Sequence, residues 1–464
     1  MSNHLDDSKL IGYVHKTLTD AWREQMDQHL AVCDGCRSRL TDHETVHRRI
    51  RYDLVGDLRK ARPSPQMSFA VISPRLRRAK RLTTVRTITS QLAFVAMVAL
   101  VILLLTRSID TLKHSLQPAT SVTGPTGTMF RGDPQRTGVY YTETVPRLGE
   151  SAWVFRTEGP VWTSPVIADG VVYFGSEDGF LYALDGQTGQ ERWKFQVDYT
   201  GFSSPAVADG VVYAATGRYL YALDGRSGQE RWKLAGSFWT DSSPVVVDGT
   251  IYLGSVDSHL YAVDCRTGQE MWRFQTNGEV FSSAAVADGV VYFGSKDRYL
   301  YALDSQTGQL KWKSKTGFWI HSSPAVSRGT VYVGNDDGNL YALDSRTGRE
   351  VWKFETDAPV FASPAVADGM VYVGSRDGHV YALNGWTGRE VWRFETGDEV
   401  KSSPAVADDV VYFGSFDHHL YALDARTGRE IWRFETEAGV KSSPLIADGM
   451  VYFGGEDRYF YAVR

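Results

Sequence analysis

The stretch Trp392 to Glu430, WRFETGDEVKSSPAVADDVVYFGSFDHHLYALDARTGRE, is followed at Trp432 by a further copy of itself. The tyrosine of its Y-A-L-D core recurs at Tyr182, Tyr221, Tyr261, Tyr301, Tyr341, Tyr381, Tyr421 and Tyr461, with a spacing of 39 once and 40 six times. A fixed period of that length marks a supersecondary unit packed against copies of itself. Four short runs rich in Val, Tyr, Phe and Trp fill each unit: S-P-A-V, V-V-Y-F-G, L-Y-A-L-D and W-x-F. Turn residues separate them, which predicts four strands. Asp169-Gly170, Asp209-Gly210, Asp248-Gly249, Asp288-Gly289, Asp368-Gly369 and Asp448-Gly449 join the first two runs as tight hairpins. Arg328-Gly329 and Asp408-Asp409 are the imperfect copies. The run V-V-Y-F is apolar at consecutive positions, as in a sheet covered on both faces. Such a sheet, repeated radially, is a propeller blade.

The tryptophans predict how the ring closes. They stand at Trp153, Trp193, Trp232, Trp272, Trp312, Trp352, Trp392 and Trp432. The first precedes the first S-P-A-V-like run, whereas the eighth Y-A-x run is followed only by Arg464. Trp153-Val154-Phe155 is therefore a spare outer strand, expected to complete the last blade and remove an open sheet edge. The fold class is mainly β, an eight-bladed β-propeller over residues 129–464.

Upstream, residues 1–60 read as a small α-helical domain. Leu10, Tyr13, Val14, Leu18, Trp22, Met26 and Leu30 recur mostly at helical intervals. Residues 61–86 form a basic linker containing Arg75, Arg77, Arg78, Lys80, Arg81 and Arg86. Residues 87–106 carry no charge, and Leu92 to Leu105 is wholly apolar. A helix of that length spans roughly 30 Å, the thickness of a hydrocarbon layer, so a single transmembrane helix is expected. The basic cluster on its N-terminal side predicts a cytoplasmic N-terminus and an extracytoplasmic propeller. Residues 107–128 read as a tether. The net charge of -5 argues against a nucleic-acid partner. The three cysteines, Cys33, Cys36 and Cys265, exclude a structural disulfide framework.

His29, Cys33 and Cys36 form H-x3-C-x2-C, which suits tetrahedral Zn2+. A fourth ligand is needed, and His4 or His15 could supply it. The surrounding L-I-G-Y-V-H-K-T-L (Leu10 to Leu18) and D-Q-H-L-A-V-C-D-G-C-R-S-R-L (Asp27 to Leu40) resemble the zinc-binding anti-sigma factor domain. That resemblance implies His4, His29, Cys33 and Cys36 as the zinc ligands and a sigma factor as cytoplasmic partner. It also fits a span that follows soon after, and a bacterial plasma (inner) membrane.

The unit A-L-D-x-x-T-G-x-x-x-W, as from Ala302 to Trp312, resembles the pyrroloquinoline quinone enzyme repeat. The segment Met129 to Gly138, MFRGDPQRTG, is similar to the lead-in of that superfamily. Its dehydrogenases carry adjacent cysteines, calcium ligands and a catalytic aspartate on loops between the repeats. Here only Cys265 lies in the repeat region, and the even period has no room for such loops, so no enzyme and no quinone cofactor are expected. The aspartates Asp178, Asp257, Asp297, Asp337, Asp377, Asp417 and Asp457 recur in nearly every unit, which points to turn chemistry. Immediately before S-S-P the units differ: Trp162, Phe202, Asp241, Phe281, His321, Phe361, Lys401 and Lys441. This position enters the innermost strand, so these residues should ring the channel mouth as a rim for a flat or anionic ligand or a protein partner. Trp239 and Trp319 would join them, while Cys265 is expected as an exposed turn residue. The resulting expectation is a single-pass sensor with an outer binding propeller and an inner zinc module. The alternative is a membrane-tethered scaffold for envelope protein assembly, and a quinoprotein dehydrogenase is the weakest of the three.

Overall fold

A computed structural model describes residues 129–464 apart from 143–145, 147–148, 198–200, 202 and 237–241. The expected zinc ligands, basic linker, span and tether lie outside the described residues, as do Phe202, Trp239 and Asp241.

Eight antiparallel sheets follow one another along the chain. Each begins with a three-residue innermost strand, such as Ala325–Ser327, and proceeds outward through Thr330–Gly334, Asn339–Asp344 and Glu350–Glu355. Blade one begins at Val166–Ala168 and blade eight at Leu445–Ala447. The outer strand of blade eight is Ser151–Arg156, antiparallel to Tyr459–Val463 with Trp153 opposite Ala462. The ring is thus closed by the strand that the tryptophan pattern identified.

The apolar core is divided into slices between neighbouring blades. Tyr173, Leu181 and Trp193 of blade one pack with Val207, Val212 and Tyr221 of blade two. The consecutive apolar residues of the second strand have no solvent face, and Val171–Ser176 is buried throughout. Each slice is latched at its outer edge. The Trp193 indole N–H and the Tyr173 hydroxyl donate to one carbonyl, that of Gly225 in the next blade, at 2.9 and 3.0 Å. The same pair of bonds recurs around the ring, for instance from Trp312 and Tyr292 to Ser345. For Trp432 and Tyr412 the carbonyl is that of Pro146, just ahead of the closing strand.

The turns behave as their residues dictate. Asp169 and Gly170 have φ of 49° and 71°, the mirror-image turn that suits a hairpin. The recurring aspartates cap the next turn out. Asp297 accepts the Tyr299 amide and the Tyr301 hydroxyl, at 3.1 and 2.6 Å. Blade two replaces this turn with Gly217-Arg218 and is one residue shorter, which accounts for the single spacing of 39. Cys265 departs from expectation. It is half-buried against the core, and its carbonyl is the latch acceptor for Tyr213 and Trp232, both at 3.1 Å.

The lead-in segment occupies the middle of the ring. Carbonyls of Pro134, Gln135, Thr137 and Gly138 accept the amides of Val286, Val326, Val366 and Val406, one from each of four successive innermost strands. Val139–Tyr140 then runs parallel to Val406–Ala407 as a fifth strand of blade seven. Arg131 and Arg136 are buried within this plug.

Candidate functional site

The plug leaves a blind funnel at one mouth of the channel. Its cavity holds about 950 Å³ and is lined by Trp162, Phe281, His321, Phe361, Lys401 and Lys441, with Phe130 of the plug among its walls. The described members of the expected rim therefore converge on one cavity.

Each described rim residue is positioned by the aliphatic residue before it. Val400, fully buried, donates its amide to the Ser375 carbonyl at 3.0 Å. It sits against Gly374, where an added Cβ would lie 2.5 Å from Val400 Cγ1. Val280, Ile320, Val360 and Val440 repeat this anchor. The adjacent position is consequently fixed in space while its identity is free to differ.

Cations and rings pair along the rim. Lys296 Nζ stands 4.2 Å from the Phe281 ring centroid, and Arg376 Cζ 5.2 Å from that of Phe361. Lys401 lies 4.3 Å from Phe416, and Lys441 lies 4.7 Å from Trp162. Charged contacts of this kind are strongest where water is partly excluded. Three of the four cations also meet carboxylates: Lys296 with Glu279 at 2.5 Å, and both Arg376 and Lys401 with Glu399 at 2.7 Å. Hydrogen bonding from Arg376 holds the Glu399 carboxyl below the usual glutamate range. His321 Nδ1 is 2.8 Å from Asp336, between the rings of Phe281 and Phe361.

Lys296, Arg376 and Phe416 occupy one shared position, the x of G-S-x-D, as do Glu177 and Val256, and Asp336 of G-N-D-D and Glu456 of G-G-E-D align with it. This second variable ring escaped the sequence reading. Its signal was available, since its residues change between units while their neighbours stay constant.

Below the rim, the second serine of each S-S pair forms a collar. Its hydroxyl oxygen accepts the backbone amide of the matching serine one blade earlier. Ser283, Ser323, Ser363, Ser403 and Ser443 accept in this way from Ser243, Ser283, Ser323, Ser363 and Ser403 at 2.8 to 3.0 Å. Ser164 accepts from Ser443 at 3.1 Å, carrying the collar across the closure.

The plug seals the other side. Arg136 donates to the carbonyls of Ala284, Ser243 and Phe130 at 2.5, 2.9 and 2.8 Å. Arg131 donates to those of Ser363 and Pro364 at 2.9 and 2.5 Å. Burial pushes Arg131 down to about 10 and Arg136 to about 9. Asp133, also buried and raised for that reason, accepts the Thr137 amide at 3.0 Å.

With this geometry the chain can be set beside known proteins. The family described as "Outer membrane protein assembly factor BamB" matches residues 135–238, 220–318, 314–400 and 376–464. The chain belongs to this BamB family. No curated protein matches the chain by sequence. Among solved structures, BamB from Moraxella catarrhalis is 19% identical, covers 67% of this chain and 98% of its own, and gives a TM-score of 0.60. The computationally designed Ika8 protein is also 19% identical, covers 68% and 99%, and scores 0.62. The quinohemoprotein alcohol dehydrogenase from Comamonas testosteroni is 16% identical, covers 74% and 81%, and scores 0.66. At these identities the likeness is one of fold.

Most acidic groups described in the repeats are committed to partners within the chain. Asp297 and its counterparts are committed to the turn and the tyrosine hydroxyl. Glu279, Glu399 and Asp336 are engaged by Lys296, Arg376, Lys401 and His321. Among the described residues no three His, Cys, Asp or Glu side chains gather as a metal site. Cys265 is the one cysteine of the repeats and serves the outer latch.

Proposed function

We propose that the chain is a non-enzymatic, single-pass protein of a bacterial envelope that uses the funnel of its propeller to bind a ligand or envelope protein. The zinc module at its N-terminus holds a sigma factor or another cytosolic regulator. The observation that carries the binding half is the one-ended funnel. Positions that are otherwise rigidly anchored present different aromatic and charged residues to a single cavity. A fold alone does not assign function, so the weight rests on this site. The inner half is supported by the H-x3-C-x2-C of His29, Cys33 and Cys36 with His4, and by the uncharged run 87–106.

Binding outside must change affinity inside by way of some two-state element if the two halves communicate. The tether of residues 107–128 favours proteolysis or clustering over rigid-body transmission. The family's description favours a second reading, a membrane-tethered scaffold whose propeller engages envelope proteins during assembly.

Copurification of the full-length protein in mild detergent separates the two, alongside a variant with Cys33→Ser and Cys36→Ser. A sigma factor and stoichiometric zinc present with the native chain and lost from the variant support the regulator. Envelope proteins recovered equally with both point to the scaffold. If neither class is retained, both readings fall.

A further inference from the structure

The funnel floor joins two features of the chain, a collar of hydroxyl donors and a buried excess of positive charge. All eight collar serines border the cavity, Ser164, Ser204 and Ser243 among them. In the bonds described above, the serine oxygen receives an amide proton, so its own proton remains to be given. Among the described residues no acceptor takes it. The collar therefore offers a circle of O–H donors bordering the cavity.

Just ahead of the innermost strands, the carbonyls of Ala284 and Pro364, each one residue after a collar serine, receive Arg136 and Arg131. Arg136 and Arg131 also donate to the carbonyls of the collar serines Ser243 and Ser363, so the two guanidiniums lie against the collar. They face one buried carboxylate, Asp133, and net positive charge remains. Charge buried away from water is weakly screened, so its field reaches the floor of the funnel. Above the collar Lys441 adds to it. Among the described residues Lys441 meets the Trp162 ring but no carboxylate.

We infer that the collar is an anion seat that takes the carboxylate or phosphate head of a small ligand whose flat body lies against the rim rings. This rests on the funnel being the binding site, and is independent of the membrane and sigma-factor assignments. The acidic lining of the funnel sharpens it. Glu177, Glu279 and Glu456 line the same cavity, so a second anionic group on the ligand is disfavoured.

The test uses full-length protein in mild detergent and fluorine NMR of three probes: 4-fluorobenzoate, 4-fluorophenyl phosphate and the neutral 4-fluorobenzamide. At least one anion should bind saturably, and the tighter of the two identifies a carboxylate or a phosphate source. The amide should bind at least about tenfold more weakly, the usual effect of losing hydrogen bonds to a charged group. Lys441→Gln, which leaves the core untouched, and the pair Ser323→Ala with Ser403→Ala should each weaken the anion by about tenfold. Ser403→Thr, which keeps the hydroxyl, should retain binding, and thermal unfolding confirms that each variant is folded. Equal binding of the amide overturns the anion seat, as does unchanged affinity in the folded serine pair. Failure of both anions overturns it too, and if protein partners still copurify, the binding propeller survives without it.

Discussion

At the outer edge of the propeller, a tryptophan recurs eight times and makes the same bond to the next blade each time, as Trp193 does to Gly225 and Trp392 to Ala425. At the channel mouth, the position following an aliphatic anchor, present in six of the units, is Trp162, Phe281, His321, Phe361, Lys401 or Lys441. Both positions belong to one repeat and both are held rigidly. The outer one must satisfy a geometry common to all blades, so its identity cannot drift. The inner one projects into shared space, where the eight units together need different chemistry.

The comparison breaks most visibly at the latch. Trp392→Ala removes a largely buried side chain between blades six and seven and leaves the Ala425 carbonyl with only the Tyr372 hydroxyl as donor. A loss of about 3–5 kcal/mol is expected, seen as a lower thermal midpoint. Arg136→Met should cost on the order of 3 kcal/mol, because several buried carbonyls lose their donor together. Amide exchange at Val286 and Val326 would rise while the outer strands stay protected. A uniform rise would mean that the plug and the ring form one cooperative unit.

Alkaline titration probes the scaffold at all its repeats together. Burial, and then the hydrogen bond to aspartate, raises the Tyr261 hydroxyl to about 12, and Tyr301 is raised by the same causes. A group whose pKa is raised on folding contributes its full stability below the unfolded value. That contribution is lost as pH climbs through the folded one. Stability should therefore hold up to about pH 10, the unperturbed tyrosine value, and fall beyond it. Phenolate absorbance from these tyrosines would appear together with unfolding. Appearance well before unfolding would show that the aspartate contacts are weaker than their geometry implies. The smallest effect belongs to the rim, where Lys441→Gln should change stability by no more than about 0.5 kcal/mol. A large loss there would show the rim to be part of the scaffold.

Legibility in the sequence follows the same division. Blade number, hairpins, inter-blade tryptophans and the closing strand Ser151–Arg156 were readable because each rests on side chains recurring at a fixed period. The rim was half readable. Variation before S-S-P located one ring, but the variable x of G-S-x-D was passed over, and with it Lys296, Arg376 and Phe416. The collar was hidden for a different reason. Ser323 looks like any strand-starting serine until its bond partner, 40 residues away in the next blade, is known. The plug was least legible, because Arg131 and Arg136 bond to main-chain carbonyls more than 100 residues distant, and a carbonyl carries no residue identity. Its cue was a pair of arginines set in a Gly-, Pro- and Thr-rich run behind Phe130.

The closing strand also bears on how copies of the chain meet. Ser151–Arg156 and Tyr459–Val463 are separated by about 300 residues of sequence, and Glu150 and Arg464 clasp each other through two main-chain bonds of 3.2 and 2.9 Å. Joining such distant partners is slow. Until they join, Tyr459–Val463 is an unpaired edge able to accept the equivalent strand of a neighbouring chain. An open edge of this kind is where copies of a chain exchange strands, so the clasp that closes the ring also guards against domain swapping.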